Sequence, residues 1–131
     1  MTTSARADEV RATIERYAVA WRDGDLPAIL DCYHDDITLH WFGANPLSGD
    51  HVGKGVALAA LGEFTRRTGR GRPTIVATMA GPDRGAIVAR ETLGDTEVER
   101  TLVFTVRDGK LFECWVYDQD PAVVDRAVGT S

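Results

Sequence analysis

The second half of the chain constrains the fold most, because it consists of strand-like segments joined by short turns. Four stretches are rich in β-branched and aromatic residues: "TIVATMA", "GAIVARETLG", "EVERTLVFTV" and "KLFECWVYD". Between them, "GPDRG" and "RDGK" are typical of hairpin turns. These lengths allow an antiparallel meander, and we predict one.

The first half of the chain has helical periodicity instead. Apolar residues recur at helical spacing and predict an amphipathic helix over about residues 6–22. A second helix is predicted from the N-cap Asp25 to about the "HDD" stretch, and a third over about residues 56–68. Between these two helices, "ITLHWF" indicates a strand and "GANPLSGDHVGKG" a long loop. A short helix is expected after the last strand.

Helices followed by a mostly antiparallel sheet indicate the α+β class, in one domain spanning residues 1–131. Several strands are apolar on both alternations, with Leu102 and Phe104 on one face and Val103 on the other. A sheet with one wet face would alternate more cleanly. We therefore predict that one face packs on the helices and the other on a second copy, in a homodimer.

Charge and composition limit the classes of partner and the cellular location that we expect for this protein. The net charge is −5 and the longest basic run is Arg66-Arg67, which argues against nucleic acid and against an anionic membrane surface. No stretch approaches the roughly 18 apolar residues of a membrane span, and the charged first 21 residues do not resemble a secretory signal. Cys32 and Cys114 lie in apolar surroundings and indicate reduced core cysteines of a cytoplasmic protein.

Two longer stretches carry a family resemblance. The stretch "RYAVAWRDGDLPAILDCYHDDITLHWFGANPLSGDHVGKGVALAAL" combines a Gly-Asp break, a "DD" helix end, a strand and a Pro-x-Ser-Gly turn. Together with the closing "GKLFECWVYDQDPAVVD", it resembles the ketosteroid isomerase and SnoaL-like polyketide cyclase branch of the nuclear transport factor 2-like superfamily. This resemblance implies a cone-shaped barrel, in which a strongly curved, mostly antiparallel sheet wraps around three N-terminal helices. It also implies an internal apolar pocket for a small, greasy ligand.

The catalytic residues of ketosteroid isomerases match only some positions of this sequence. Tyr17 matches the oxyanion-donating tyrosine of the first helix. Counting forward from Tyr17 puts Trp41 at the position of the base, whereas counting back from "GANPLSG" puts His40 there. The second acid of that family falls near Leu102, so the isomerase set is not intact.

The cyclase resemblance places an acid on the last strand. Asp118 falls near that position, and Asp120 takes it if the strand runs longer. Cys114, Val116 and Asp118 share one strand face, which the resemblance implies is the pocket face.

We predict three catalytic residues. His40 suits proton abstraction because the unperturbed pKa of histidine is about 6.5. We expect its ring to point into the cone, with Trp41 forming the wall of the cone or packing behind the strand. Asp118 is expected to act as base or to fix the His40 tautomer, and Tyr17 to donate to an enolate oxygen. Each residue also has a structural alternative. His40 would point outward or be buried in its neutral form, Asp118 would lie at a solvated strand end, and Tyr17 would be a core aromatic residue. The expected substrate-binding residues are Trp21, Trp41, Phe42, Trp115, Val116 and Leu102.

Two arginines stand in apolar strands, Arg90 and Arg100, and each is expected to pair with Glu91, Glu97 or Glu99. No spacing typical of a metal site or of a phosphate-binding loop is present, so neither a metal nor a cofactor is expected. The predicted function is acid–base chemistry of isomerase, cyclase or dehydratase type on an apolar carbonyl or polyketide-like substrate. The alternatives are a binding protein without turnover and an epoxide hydrolase, whose reaction on this fold resembles an Asp-Arg-Asp arrangement.

Overall fold

The computed structural model of the chain describes residues 3–130. It contains four helices and six strands. In chain order these are α1 (Thr3–Asp23), α2 (Leu26–Asp31), β1 (Tyr33–Trp41), β2 (Gly49–Val52), α3 (Lys54–Thr68), β3 (Thr74–Ala80), β4 (Arg84–Leu93), β5 (Thr96–Arg107), β6 (Lys110–Asp118) and α4 (Pro121–Val128).

The six strands form one curled, open sheet in the order β2-β1-β6-β5-β4-β3. The predicted meander is confirmed for β3 to β6, whose neighbours all pair antiparallel. A parallel pair, β1 with β6, attaches the N-terminal strand to the meander. The α+β class and the mostly antiparallel sheet are therefore confirmed.

One face of the sheet carries the helices and the core. Helix α1 packs against β3 and β4, and α3 packs against β1. The approach of α1 is close at Gly85, where an added Cβ would lie 2.7 Å from Ile14 Cγ1. Along β4, every second residue points to this face and is buried, whereas the residues between them are partly or fully exposed, as a half-buried strand requires.

Two predicted boundaries were wrong. Helix α2 ends at Asp31, and the "HDD" stretch expected to end that helix lies in β1 instead. The segment expected to be a long loop contains β2, which pairs with β1 from Thr38 to Trp41. Both errors concern the edge strand β2 and its neighbour β1, where backbone pairing of β1 with β6 and β2 overrides the helical and turn propensities of short polar stretches.

No helix within residues 3–130 is long and apolar enough to cross a membrane. The two cysteines are both buried and unpaired.

Candidate functional site

A cavity lies between the helices and the concave face of the sheet. It contains about 530 Å³ of space free of protein atoms, part of which opens to solvent. Most of its wall is apolar, and its hydroxyl and charged groups come from two tyrosines, two arginines and one glutamate. The lining residues are Tyr17, Trp21, Tyr33, Trp41, Leu61, Arg70, Pro73, Ile75, Ile87, Ala89, Glu91, Arg100, Leu102 and Val116.

Two further spaces adjoin this cavity. An inner chamber of about 360 Å³ shares Tyr17 and Tyr33 with it and is otherwise nearly all apolar. An outer groove of about 520 Å³ runs along α2 and α3 and shares Trp21, Tyr33 and Arg70 with the cavity. Because Arg70 lines both the groove and the cavity, it lies at the boundary between them.

A pair of tyrosine hydroxyls sits at the junction of the cavity and the inner chamber. The hydroxyls of Tyr17 on α1 and Tyr33 on β1 are hydrogen-bonded to each other. Burial raises the pKa of both phenols, so both keep their protons at neutral pH. Two hydroxyls carry two protons and their mutual bond uses one, so the pair can donate the other to a ligand oxygen.

Four charged side chains form a connected network at the cavity wall. Arg70 Nη1 donates to Glu91 Oε1 at 2.7 Å, and Arg100 Nη1 donates to Glu91 Oε2 at 3.2 Å. Arg100 also donates to both oxygens of Asp118, at 2.5 and 3.3 Å. All four side chains are at most 11 % exposed. The formal charges balance, as buried charges must for the fold to tolerate them.

The sheet register explains why three of these groups meet. Arg100 on β5 lies directly opposite Asp118 on β6, on the inward face. On β4, the residue paired with Arg100 is Ala89. Glu91 lies two residues after Ala89 and therefore occupies the next inward position of the strand. Burial raises the pKa of Asp118, and the neighbouring Arg100 guanidinium opposes that rise.

The structure corrects the expected orientation of His40. Trp41 is buried and lines the cavity, whereas His40 lies on the opposite face of β1. There His40 Nδ1 is 2.7 Å from Asp50 Oδ1, and Nε2 is 3.4 Å from Glu113 Oε2. The expectation of an inward His40 was wrong because side chains alternate along a strand and the larger apolar residue takes the buried side.

The other expected site residues divide between the two faces. Trp21, Leu102 and Val116 line the cavity. Phe42 is half exposed and packs on Tyr117 outside it. Trp115 also lies on the outer face, where the His40 ring stacks on it at 5.2 Å. Neither residue lines the cavity, because Trp115 holds an outward position in β6 and Phe42 lies just beyond the end of β1.

Asp118 belongs to the network, although it reaches the cavity only through Arg100. Asp120, the alternative acid, lies beyond the end of β6, where its side chain accepts the Val123 N–H and caps α4. This cap explains why the strand does not extend to Asp120.

Four polar cavity residues were not among the predicted site residues: Tyr33, Arg70, Glu91 and Arg100. The pairing of Arg100 with Glu91 was one of the three alternatives, and the structure selects it. A usable signal was present at Glu91, because it follows Ile87 and Ala89 at strand period on the apolar alternation of β4. Arg70 follows α3 in an irregular segment, where no local pattern gives a side-chain direction.

Within residues 3–130, no group of three or more His, Cys, Asp or Glu side chains is arranged to hold a metal ion.

The family of this chain follows from a direct comparison. Residues 14–114 match the family described as the SnoaL-like domain. The chain belongs to the SnoaL-like domain family. The resemblance noted from the sequence is thereby confirmed. No curated protein matches the sequence.

Solved structures agree on the fold of this SnoaL-like protein. Bal32a, from a soil-derived mobile gene cassette, is 20 % identical with a TM-score of 0.81, over 95 % of this chain and 99 % of that one. A nuclear transport factor 2-like protein from Burkholderia xenovorans LB400 is 23 % identical with a TM-score of 0.71, over 94 % and 98 %. A protein from Sinorhizobium meliloti, provisionally named a polyketide cyclase, is 17 % identical with a TM-score of 0.64, over 80 % and 93 %. At these identities the comparisons show the fold alone.

Proposed function

We propose that this SnoaL-like protein is an enzyme that performs cofactor-independent acid–base chemistry on a small apolar molecule. The substrate class is a cyclic or polyketide-like molecule with a carbonyl oxygen, and the reaction class is isomerisation, cyclisation or dehydration. The observation that carries the proposal is a buried carboxylate, Glu91, that shares a mostly apolar cavity with a proton-donating tyrosine pair. Proton abstraction beside a carbonyl needs one base and one donor to the oxyanion.

The roles follow from the contacts. Glu91 is the base, and the Arg70 and Arg100 guanidiniums compensate its charge inside the cavity. The pair of Tyr17 and Tyr33 donates to the developing oxyanion, and its low exposure strengthens that interaction because water does not compete. Asp118 is a positioning residue, since it touches Arg100 and does not line the cavity.

The test is hydrogen–deuterium exchange at the carbon beside the carbonyl of 1-indanone and related cyclic ketones, followed by NMR in deuterated buffer. We expect Glu91→Gln to slow this exchange by roughly 10²- to 10⁴-fold, the usual contribution of a general base. Glu113→Gln is the matched control, because it makes the same change on the outer face of the sheet. Exchange no faster than in buffer, or a Glu91→Gln variant at full rate, would contradict the proposed role.

A second candidate is hydrolysis of an apolar epoxide. The observation that favours it is the carboxylate–arginine–carboxylate series of Glu91, Arg100 and Asp118, which is similar to the Asp-Arg-Asp arrangement considered from the sequence. In that reaction Glu91 takes a proton from water, the water oxygen bonds to an epoxide carbon, and the opened oxygen receives a proton from a cavity donor. Incubation of indene oxide in ¹⁸O-water separates the candidates, because only hydrolysis yields a diol with one labelled oxygen.

Ligand binding without any turnover is the third outcome, and it would identify a binding protein for an apolar molecule.

We also propose a homodimer formed through the outer sheet face, which presents Val103, Trp115 and the half-exposed Tyr117. A typical dimer of this kind buries roughly 800 Å² per partner, and light scattering at micromolar concentration measures the mass directly. The unpaired, buried cysteines support a cytoplasmic location as part of the proposal.

A further inference from the structure

The indole N–H of Trp41 is a buried hydrogen-bond donor without an acceptor. Among the described residues, only Trp41 Nε1 and Thr105 Oγ1 are buried side-chain polar atoms that lack a partner. An unpaired buried donor costs ~1–3 kcal/mol, so such groups are rare in folded proteins and each requires an explanation. Trp41 differs from Thr105 because it is one of the residues that line the cavity between the helices and the sheet.

The surroundings of the Trp41 ring show why it finds no acceptor within the protein. The Arg100 guanidinium lies 5.3 Å from the ring centroid, and the Phe64 ring centroid lies at 4.9 Å. Neither neighbour carries a hydrogen-bond acceptor atom. The nearby Glu91 carboxylate is engaged by Arg70 and Arg100. The ring is thus held in place by groups that cannot satisfy it.

We infer that Trp41 is a specificity-determining residue, whose indole N–H donates a hydrogen bond to an oxygen of the ligand. The ligand class is an apolar ring molecule that bears a neutral acceptor, a carbonyl or epoxide oxygen. This nitrogen is buried from bulk solvent, so a ligand oxygen that reaches it does not compete with bulk water for the donor. One of the lining side chains has to shift to admit that oxygen. The inference rests on the proposed function, because it places the ligand in the same cavity.

A matched pair of probes isolates the acceptor. Indane and 1-indanone share one bicyclic skeleton and differ in the carbonyl group. The chain contains three tryptophans, so a ¹⁵N-labelled sample gives three indole N–H signals, and Trp21→Phe, Trp41→Phe and Trp115→Phe assign them. We expect 1-indanone to move the Trp41 indole proton downfield, and indane to leave it without a downfield shift.

Affinities from the same titrations provide the second readout. A neutral hydrogen bond contributes ~0.5–1.5 kcal/mol, so Trp41→Phe should weaken 1-indanone binding by roughly 3- to 10-fold. Indane binding should change by less than about 2-fold, because Phe keeps most of the apolar surface. Trp115→Phe is the matched control on the outer face and should alter neither affinity.

Three results would overturn the inference. The first is an equal preference for 1-indanone over indane in wild type and in Trp41→Phe, and the second is a Trp41 indole signal that 1-indanone does not shift. The third is that neither probe binds. The wild-type shift decides the matter even if Trp41→Phe fails to fold. The readout is binding, so it is independent of turnover. A preference for 1-indanone that depends on Trp41, without any exchange that depends on Glu91, would refute the proposed reaction and leave the inference standing. Exchange that depends on Glu91, without a preference that depends on Trp41, would refute the inference and leave the proposed reaction standing.

Discussion

Two charge clusters lie on opposite faces of the same sheet, and both place a cationic or ionisable group between two carboxylates. On the inner face Arg100 lies between Glu91 and Asp118. On the outer face the His40 ring lies between Asp50 and Glu113. The two arrangements differ mainly in their exposure to solvent. The inner side chains are 4–7 % exposed, whereas the outer ones range from 20 % to 65 %.

That difference decides what each cluster can do. Water and salt screen the outer charges, so their mutual attraction contributes little to stability. The inner charges have lost their hydration and depend on one another, so removal of one leaves an uncompensated charge in a low-dielectric site. The same isolation makes the inner cluster suitable for chemistry, because a ligand in the cavity meets these groups without competing water.

The largest expected effect is that of Arg100→Leu. This change leaves Glu91 and Asp118 without their shared partner, and breaking a buried pair typically costs about 3–5 kcal/mol in free energy of unfolding. Urea denaturation measures the loss, with His40→Leu as the matched change on the outer face, expected at or below ~1 kcal/mol. Equal losses in the two variants would break the comparison between the faces.

A second prediction concerns pH and Asp118. Burial raises the pKa of this carboxyl in the folded state, with Arg100 opposing the rise, so the folded state favours the protonated form relative to the unfolded chain. Its contribution to stability is therefore fully present below the unfolded pKa of about 3.9 and is lost as pH rises through the folded pKa.

Asp118→Asn removes this titration and tests the sign. The difference in free energy of unfolding, wild type minus variant, should be larger at pH 3.5 than at pH 7. Denaturant titrations of both proteins across that interval measure it. A difference that shrinks on acidification would mean that the attraction of Arg100 outweighs the burial of Asp118.

The smallest effect is expected for His40→Gln. The glutamine can still hydrogen-bond to Asp50, and the cluster is exposed enough that the change in free energy of unfolding should stay within ~1 kcal/mol. Activity should equal that of wild type, since His40 lies across the sheet from the cavity. A drop in exchange rate comparable to that of Glu91→Gln would transfer the catalytic role to the outer face.

Much of the fold could be predicted from local patterns. The strand "KLFECWVYD" has the predicted bounds, Lys110–Asp118, because it combines β-branched and aromatic residues with a hairpin turn before it. The N-cap of α2 at Asp25 was also correct, and its side chain accepts the Ala28 N–H. Such features depend on residues within one or two turns of each other, and a sequence contains that information directly.

The error at His40 has a particular cause. Counting back from the "GANPLSG" motif placed His40 at the inward position, whereas counting forward from Tyr17 gave Trp41. The strand itself shows apolar residues at Ile37, Leu39 and Trp41, which alternate with Thr38 and His40, and the structure follows that alternation. Burial free energy acts on every side chain of a strand, so a period-2 pattern constrains orientation more strongly than a residue count from a single motif.

By itself the sequence determined the order of the helices and of the strands other than β2, the shared face of Cys114, Val116 and Asp118 on β6, and the membership in the SnoaL-like family, since each rests on periodicity or on contiguous motifs. Only the tertiary structure decided that Glu91, Arg100 and Asp118 meet, that Arg70 joins them from an irregular segment, and that Tyr33 pairs with Tyr17. These contacts join residues from different strands and helices. Their partners follow from strand register and from how α1 and α3 lie on the curled sheet, and both are set by the burial of the whole core at once.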